Sequence, residues 1–349
     1  MRGVKVLDDL KFISSRDKSD ALGAAEKAPS QLRHDFKLED LGFKKDDIEN
    51  VVVSGMGGSA LAANLFLSWT SPHIPFVVNR QYDAPGFSGK KTLFICSTHS
   101  GNTEEALSAM EQALERGAHV VVMSSGGQAA MTAKKKKLPL LAIPGGLQPR
   151  MSVLYGVKAL SQLFEKLGLM EDLSSQLETT ADFLEQSVMT WRPDVATAKN
   201  PAKELAEELA GKTPVVYGGP RMSSAAYKWK ISFNETSKNL AFYNQWPEFN
   251  HNEFVGWTSH PTEKPFQPIE LKSSFEHDKI LKRFLISNRL LSGRMPHPIE
   301  IEAEGNTLIE QILWAVLYGD FVSIYLALLN NVDPTPVEII EKLKKELQD

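Results

Sequence analysis

From Asn50 onward the chain alternates short apolar runs with longer amphipathic stretches. NVVVSG, residues 50–55, is a β-branched run ending in glycine, and the SALAANLFLSW that follows shortly after combines good helix formers with an apolar stripe. This spacing predicts a strand, a turn and a helix. The alternation continues through PFVV, TLFICS, the helical NTEEALSAMEQALERG, HVVVMSS, a short helix and LPLLAIP. Five apolar runs of strand length predict a parallel sheet covered on both faces by helices. Residues 1–45 are polar, with Val6, Leu10, Phe12 and Ile13 at helical spacing, which predicts short helices packed on the body.

Residues 150–210 are helical in period and rich in Leu, Glu and Lys, broken by the proline-bearing WRPDVATAKNPA. A second round then begins with the strand TPVVYGG and the helical RMSSAAYKWKISFNETSK. It continues with the strand FQPIELK, the helix SFEHDKILKRFLISN, the strand HPIEIEA and the long apolar helix NTLIEQILWAVLYGDFVSIYLALLN. NQWPEFNHNEFVGW, between them, is too irregular for a helix interior and reads as a loop. Pro334 and Pro336 introduce a final charged helix. The repetition of apolar strand and glycine turn predicts an α/β protein in which one fold is duplicated, each copy a mostly parallel sheet flanked by helices on both faces.

A length of 349 residues fits two domains. Apolar residues at 42% and charged residues at 23% exclude disorder, collagen and coiled coil. Lys and Arg number 39 against 43 Asp and Glu, so no global basic field draws the chain to nucleic acid or anionic lipid, and a small partner is expected. The single cysteine, Cys96, allows neither an internal disulfide nor a Cys-rich zinc site and fits a reducing compartment. No apolar run approaches the roughly 18 residues a membrane helix needs, and the charged start MRGVKVLDDLKF is unlike a signal sequence. These features predict a cytoplasmic protein without a membrane span.

Gly55-Met56-Gly57-Gly58-Ser59-Ala60 follows a strand and opens a helix. Its backbone N–H groups and helix N-terminus suit an anion, and it also fits the GxGxxA form of a dinucleotide fingerprint or a purely structural turn. The next strand ends at Asn79 and Arg80, with no acid for a ribose 2′-hydroxyl. The second loop, Ser97-Thr98-His99-Ser100-Gly101-Asn102-Thr103-Glu104-Glu105, sets several hydroxyls between a strand end and a helix start, which suits a phosphate dianion. Its bland alternative is helix capping by Ser100 or Asn102. His251-Asn252-Glu253 lacks the cysteine pair of a zinc deaminase, and Lys134 to Lys137 reads as a solvated helix end; neither zinc nor nucleic acid is implied.

Together, strand-GMGGS and strand-STHSGNTEE resemble the sugar isomerase (SIS) domain. Pro144-Gly145-Gly146-Leu147-Gln148-Pro149-Arg150, Asn234-Glu235-Thr236-Ser237-Lys238, Pro247-Glu248-Phe249-Asn250-His251-Asn252-Glu253 and the closing Leu343-Lys344 narrow the resemblance to the bifunctional phosphoglucose/phosphomannose isomerase family. It runs in order from about residue 45 to the C-terminus. It implies SIS domains at 46–170 and 206–330, an N-terminal helical extension at 1–45, a helical linker at 171–205 and a C-terminal tail at 331–349.

Aldose–ketose isomerisation needs a phosphate anchor, a ring-opening acid and base, a carboxylate over C1 and C2, and a cation for the enediolate. The resemblance assigns Glu235 as the base, His251 with Lys344 to ring opening, and Arg150 to the enediolate. It assigns Gly57, Gly58, Ser59, Thr98, Ser100 and Thr103 to the phosphate. It implies glucose 6-phosphate, fructose 6-phosphate and mannose 6-phosphate as substrates, no cofactor or metal, and a homodimer in which His251 serves the neighbouring subunit. Two departures stand out: His99 replaces the tyrosine common in the phosphate loop, and Thr335 lies slightly out of register with the threonine associated with tolerance of both epimers. A non-catalytic sugar-phosphate-binding SIS module, or an NADP-dependent enzyme built on GMGGSA and Arg80, would be the competing functions.

Overall fold

The computed structural model describes residues 5–38, 41–259 and 265–347; residues 1–4, 348 and 349 of the expected end segments lie outside them. Two compact units are present, one spanning 27–182 and the other comprising the residues up to Glu26 and those from Phe183 on. The spans 46–170 and 206–330 each fall within one unit, whereas 1–45 and 171–205 are each divided between the two. At the start of the chain lie two short helices, α1 (Leu10–Arg16) and α2 (Ala21–Lys27).

The unit at 27–182 holds a five-stranded parallel sheet, β1 (Asn50–Ser54), β2 (Phe76–Asn79), β3 (Thr92–Ser97), β4 (His119–Ser124) and β5 (Leu140–Ala142), in the order β2-β1-β3-β4-β5. Its helices are α3 (Gly57–Thr70), α4 (Glu104–Glu115), α5 (Gly127–Lys136), α6 (Val153–Lys166) and the first part of α7 (Ser174–Val188), within which the division between the units falls. Alternate strand residues face opposite layers. Val51, Val53, Leu93, Ile95, Val121 and Met123 pack with Phe66 of α3 and with Leu160 and Phe164 of α6. Val52, Phe94, Cys96, Val120 and Val122 pack with Ala106, Ala109 and Met110 of α4 and Ala129 of α5. Because both faces are covered, no polar alternation interrupts the strands, and each large buried side chain contributes roughly 1.5–3 kcal/mol.

The other unit contains α8 (Pro201–Leu209), β6 (Thr213–Gly218), α9 (Ser223–Glu235), β7 (Phe242–Gln245), α10 (Glu253–Gly256), β8 (Phe266–Lys272), α11 (Asp278–Leu290), β9 (Ile299–Glu302), α12 (Leu308–Leu329) and α13 (Glu338–Glu346). Its four parallel strands run β7-β6-β8-β9, the order of β2-β1-β3-β4 in the first sheet. The shared order is what duplication predicts. β7 has no counterpart in the sequence reading. FYNQ lies on the sheet edge with Phe242 and Tyr243 exposed, so burial on two faces never wrote a continuous apolar run there.

α12 begins with a capping box, Thr307 Oγ1 accepting from Glu310 N and Glu310 Oε2 accepting from Thr307 N at 3.0 Å. This helix corrects the expectation about membrane-length segments. An 18-residue window of its 22 residues reaches a mean hydropathy of 1.9, so the helix is long and apolar enough to cross a membrane, a property that counting apolar runs misses at Asp320. Of that window 94% is instead buried within the protein, and the helix packs against α8 and α9. The buried Asp320 carboxylate accepts from Lys228 Nζ and, at 2.9 Å, from Ser232 Oγ, both on α9. Removing one partner of such a buried pair typically costs about 3–5 kcal/mol.

Candidate active site

β1 runs directly into Gly55-Met56-Gly57, and α3 starts at Gly57 with no side-chain cap on its first N–H groups. Gly58 is required by close approach: a Cβ there would stand 2.7 Å from the Pro149 carbonyl oxygen and 3.0 Å from Arg150 N. The turn after β1 is thereby pressed against the Pro144–Arg150 segment, two motifs far apart in sequence. Ser59 joins them to the loop after β3. Its Oγ accepts from His99 N at 3.0 Å and its carbonyl accepts from Ser97 Oγ at 3.0 Å.

The hydroxyl loop is not used for capping its own helix. Thr103, not Ser100 or Asn102, occupies the N-cap of α4, and no side chain caps there. Asn102 Oδ1 instead accepts from Gln128 N at 3.0 Å, at the start of α5. Thr98, fully buried, shares a 2.8 Å hydroxyl–hydroxyl bond with Thr103, and exposed Ser100 accepts from Asn102 N at 3.3 Å. Gly101, at φ +75°, lets the loop touch the next one: a Cβ would lie 1.8 Å from the Gly126 carbonyl oxygen.

Between these segments lies a small, open cleft lined by Gly58, Ser59, Ala62, Ser97, His99, Met123, Ile143, Pro149, Ser152, Val153 and Gly156. Gly58 and Ser59, expected on the phosphate, line it; Gly57, Thr98, Ser100 and Thr103 are not in its lining and belong to the adjoining turn and loop. Arg150, on the 3-10 turn Pro149–Met151 before α6, is only 2% exposed. Burial pushes the His99 imidazole below its usual range, opposed by the nearby Leu147 carbonyl, so the ring is neutral at pH 7. Hydroxyls, a neutral imidazole and a helix N-terminus together form a polar, uncharged seat that can accept a small anion.

Ser152 was not singled out from sequence. Its signal is faint, a hydroxyl two residues after Arg150, and only the fold brings it against the loop after β3. Glu235 is the last residue of α9, partly buried, and belongs to the other unit. His251, in that unit too, ends the 3-10 turn Glu248–His251 and is exposed. The turn that presents it is well anchored. Phe249 is buried against Trp246, and Asn250 donates to Ser287 Oγ at 3.0 Å and accepts from Arg283 at 2.9 Å. Lys344 lies on α13, 56% exposed, with its ammonium on Glu341 at 2.8 Å. Thr335 precedes that helix, its N–H donating to Asp333 Oδ1 at 2.9 Å.

Two parallel sheets of matching strand order, with a hydroxyl-lined cleft beside the strand-turn-helix of the first, define an α/β fold of the SIS phosphosugar class. The chain superposes on a glucose-6-phosphate isomerase-like protein from Thermus thermophilus with a TM-score of 0.66 and 18% identity, covering 98% of this chain and 99% of that one. Residues 198–347 match the family model described as the bacterial phospho-glucose isomerase C-terminal SIS domain. The bifunctional phosphoglucose/phosphomannose isomerase of Caldicellulosiruptor bescii is 36% identical over 333 residues, 92% of this chain and 97% of that protein. The corresponding protein of Aquifex aeolicus is 32% identical over 316 residues, 90% and 95% of the two chains. The chain belongs to the bifunctional phosphoglucose/phosphomannose isomerase family, and it is an isomerase.

Proposed function

We propose that this enzyme interconverts glucose 6-phosphate and fructose 6-phosphate, and also takes mannose 6-phosphate, through a cis-enediolate. The observation that carries this reading is the convergence of three separated segments, at Gly55–Ser59, Ser97–Thr103 and Pro144–Ser152, on one hydroxyl-lined cleft. A phosphate dianion needs many donors around it, and such a cradle supplies them without a counter-charge that would hold product.

In this mechanism the sugar phosphate is anchored by the turn after β1 and the loop after β3. Ring opening passes one proton to the ring oxygen and removes one from the anomeric hydroxyl, the work of His251 with Lys344. Glu235 then takes the C2 proton of the open aldose, the hydroxyl proton on O2 passes to O1, and Glu235 returns its proton to C1 as O2 becomes the ketone, while Arg150 stabilises the enediolate oxygen. No electrons leave the substrate, so no redox cofactor is called for. His251 serves a second copy of the chain. Its exposure on an anchored turn supports this, as do the exposed Leu240, Phe242, Tyr243 and Val255 on the same stretch of chain, an apolar surface suited to an interface. The compartment is the cytoplasm, where sugar phosphates are held.

A coupled assay tests the reading: fructose 6-phosphate should form from glucose 6-phosphate, and from mannose 6-phosphate, with no added metal or nucleotide. Tight sugar-phosphate binding without turnover would instead mark a sensing module, and a requirement for NADP would mark a dehydrogenase. The shared site has its own test. Inactive Glu235→Gln and His251→Ala subunits, mixed under conditions of subunit exchange, should form hybrid dimers with one intact site and recover about half of normal activity per hybrid. No recovery despite exchange confirmed by a mass tag would place His251 in its own chain's site.

A further inference from the structure

His99 stands where the cleft, the loop after β3 and the Arg150 turn meet. Its backbone is held on both sides, N–H donating to Ser59 Oγ at 3.0 Å and carbonyl accepting from Ser125 Oγ at 2.6 Å. Its side chain reaches Ser152, with Nδ1 3.2 Å from Oγ, and the same Oγ is 3.1 Å from the Pro149 carbonyl. A serine hydroxyl carries one hydrogen and a carbonyl can only accept. Ser152 Oγ therefore links the imidazole to the Pro149 carbonyl, accepting from Nδ1 while donating to Pro149, or donating to Nδ1 when the single ring proton faces the Leu147 carbonyl.

That chain of bonds ends on the residue before Arg150. The turn carrying Arg150 is also fixed by Gly58 on one side and by Gln31 Nε2, which donates to the Met151 carbonyl at 2.7 Å. Two of these supports start from segments assigned to the phosphate: Gly58 by close packing, and the His99 bridge by hydrogen bonds from the loop after β3. We propose that His99 is a positioning residue that ties the phosphate loop to the Arg150 turn through Ser152, so that anchoring the phosphate and placing the guanidinium are one structural event. The proposal rests on the role given above to Arg150. It separates His99 from the phosphate-contacting hydroxyls, since a ring engaged with Ser152 acts on turnover rather than on affinity.

A double-mutant cycle tests this. Residues that act as one unit show strong non-additivity, so His99→Phe and Ser152→Ala should each lower kcat about tenfold, and the double variant should be no worse than the poorer single. KM for glucose 6-phosphate and the inhibition constant of inorganic phosphate should stay within about threefold in all of them, as expected when no ground-state contact is lost. His99→Gln, whose amide can donate to Ser152, should recover at least half of the lost turnover. Should His99→Phe not fold, Ser152→Ala and His99→Gln with their double variant complete the cycle, His99→Gln then holding near-normal kcat and losing it only with Ser152. Multiplying effects, or a tenfold weaker phosphate inhibition at unchanged kcat, would overturn the proposal. Arg150→Ala is the control: if it keeps normal turnover, the role of Arg150 itself fails, whereas a crippled Arg150→Ala beside an unaffected His99→Phe defeats only the bridge.

Discussion

The turn after β1 and the turn after β6 are built alike and used differently. Each follows the strand second in its sheet order, carries glycines and opens a helix, α3 or α9. After β1, the turn lines a cleft, and the loop after β3 brings hydroxyls and an imidazole to it. After β6, the loop following β8 instead sends in a carboxylate. Glu276 Oε1 accepts from Arg221 N at 2.7 Å and from Met222 N at 3.2 Å, and a Cβ on Gly219 would stand 2.4 Å from the same carboxylate. One copy of the cradle is left as a cleft; the other is filled by the chain itself. A duplicated backbone can thus keep both anion-favouring turns while offering only one of them to a ligand. The second copy is freed for other work, and α9 carries Glu235 about 18 Å away at its far end, by the rise of 1.5 Å per residue.

This division of labour separates turnover from affinity, and turnover should suffer most. Glu235→Gln should lower kcat by about 10²–10⁴, the usual weight of a general base, while KM stays within about tenfold. Exchange of the C2 proton with solvent should vanish with it. A variant keeping more than roughly a hundredth of normal turnover would remove Glu235 from that role.

The converse change is in the first unit. Ser100→Ala combined with Thr103→Val should raise KM for every phosphorylated substrate at nearly constant kcat, at roughly 1.5–3 kcal/mol for each charge-assisted bond lost. Competitive inhibition by a phosphorylated sugar acid that survives the double change unaltered would show that phosphate binds elsewhere.

The two sheets also differ in what their strands bury. β3 is apolar apart from its ends, whereas β8 carries Glu270, 1% exposed, which accepts from Asn288 Nδ2 at 3.0 Å. Burial raises its carboxyl to about 7, against the opposing effects of Asn288 and Lys272. A carboxyl raised in the folded state binds its proton more tightly there than in the unfolded chain. Its contribution to stability is therefore complete below about pH 4.5 and is lost as pH rises through about 7. Glu270→Gln, which cannot ionise, should gain up to about 3 kcal/mol over the parent at pH 8 and nothing at pH 4, read by chemical denaturation at both. An equal gain at the two pH values would rule out ionisation as the cause.

The filled cradle should respond more mildly. Glu276→Ala strips two backbone N–H groups of their acceptor and should cost about 2 kcal/mol of stability, while Glu276→Gln, keeping an Oε1, should cost less than about 1. Equal stability of Glu276→Ala and the parent would mean that the turn after β6 does not depend on its occupant.

Much of this arrangement could be read from the chain before folding it. The first sheet was legible because strands buried on both faces write unbroken runs such as VVV and TLFICS, and the glycine turns mark where those runs end. The six motifs from GMGGS to Leu343-Lys344 carried the family, and three of them do meet at one cleft. β7 was not legible, since an exposed edge strand has no buried face to impose a pattern. Nor was the fate of Asn102, which caps α5 rather than the helix beside it in sequence.

Local order is written in the chain: which stretches are strands or helices, where the turns lie, and which residue types wait at the strand ends. These follow from periodicity and backbone preference, which act over a few residues. Folding selects which cradle stays open, pairs Lys228 with Asp320 92 positions away, and bonds His99 to Ser152 across 53. The difference is one of range. A hydrogen bond or a desolvated charge is set by what packs within about 3 Å, and that neighbour is chosen by the folding of the whole sheet rather than by anything adjacent in the chain.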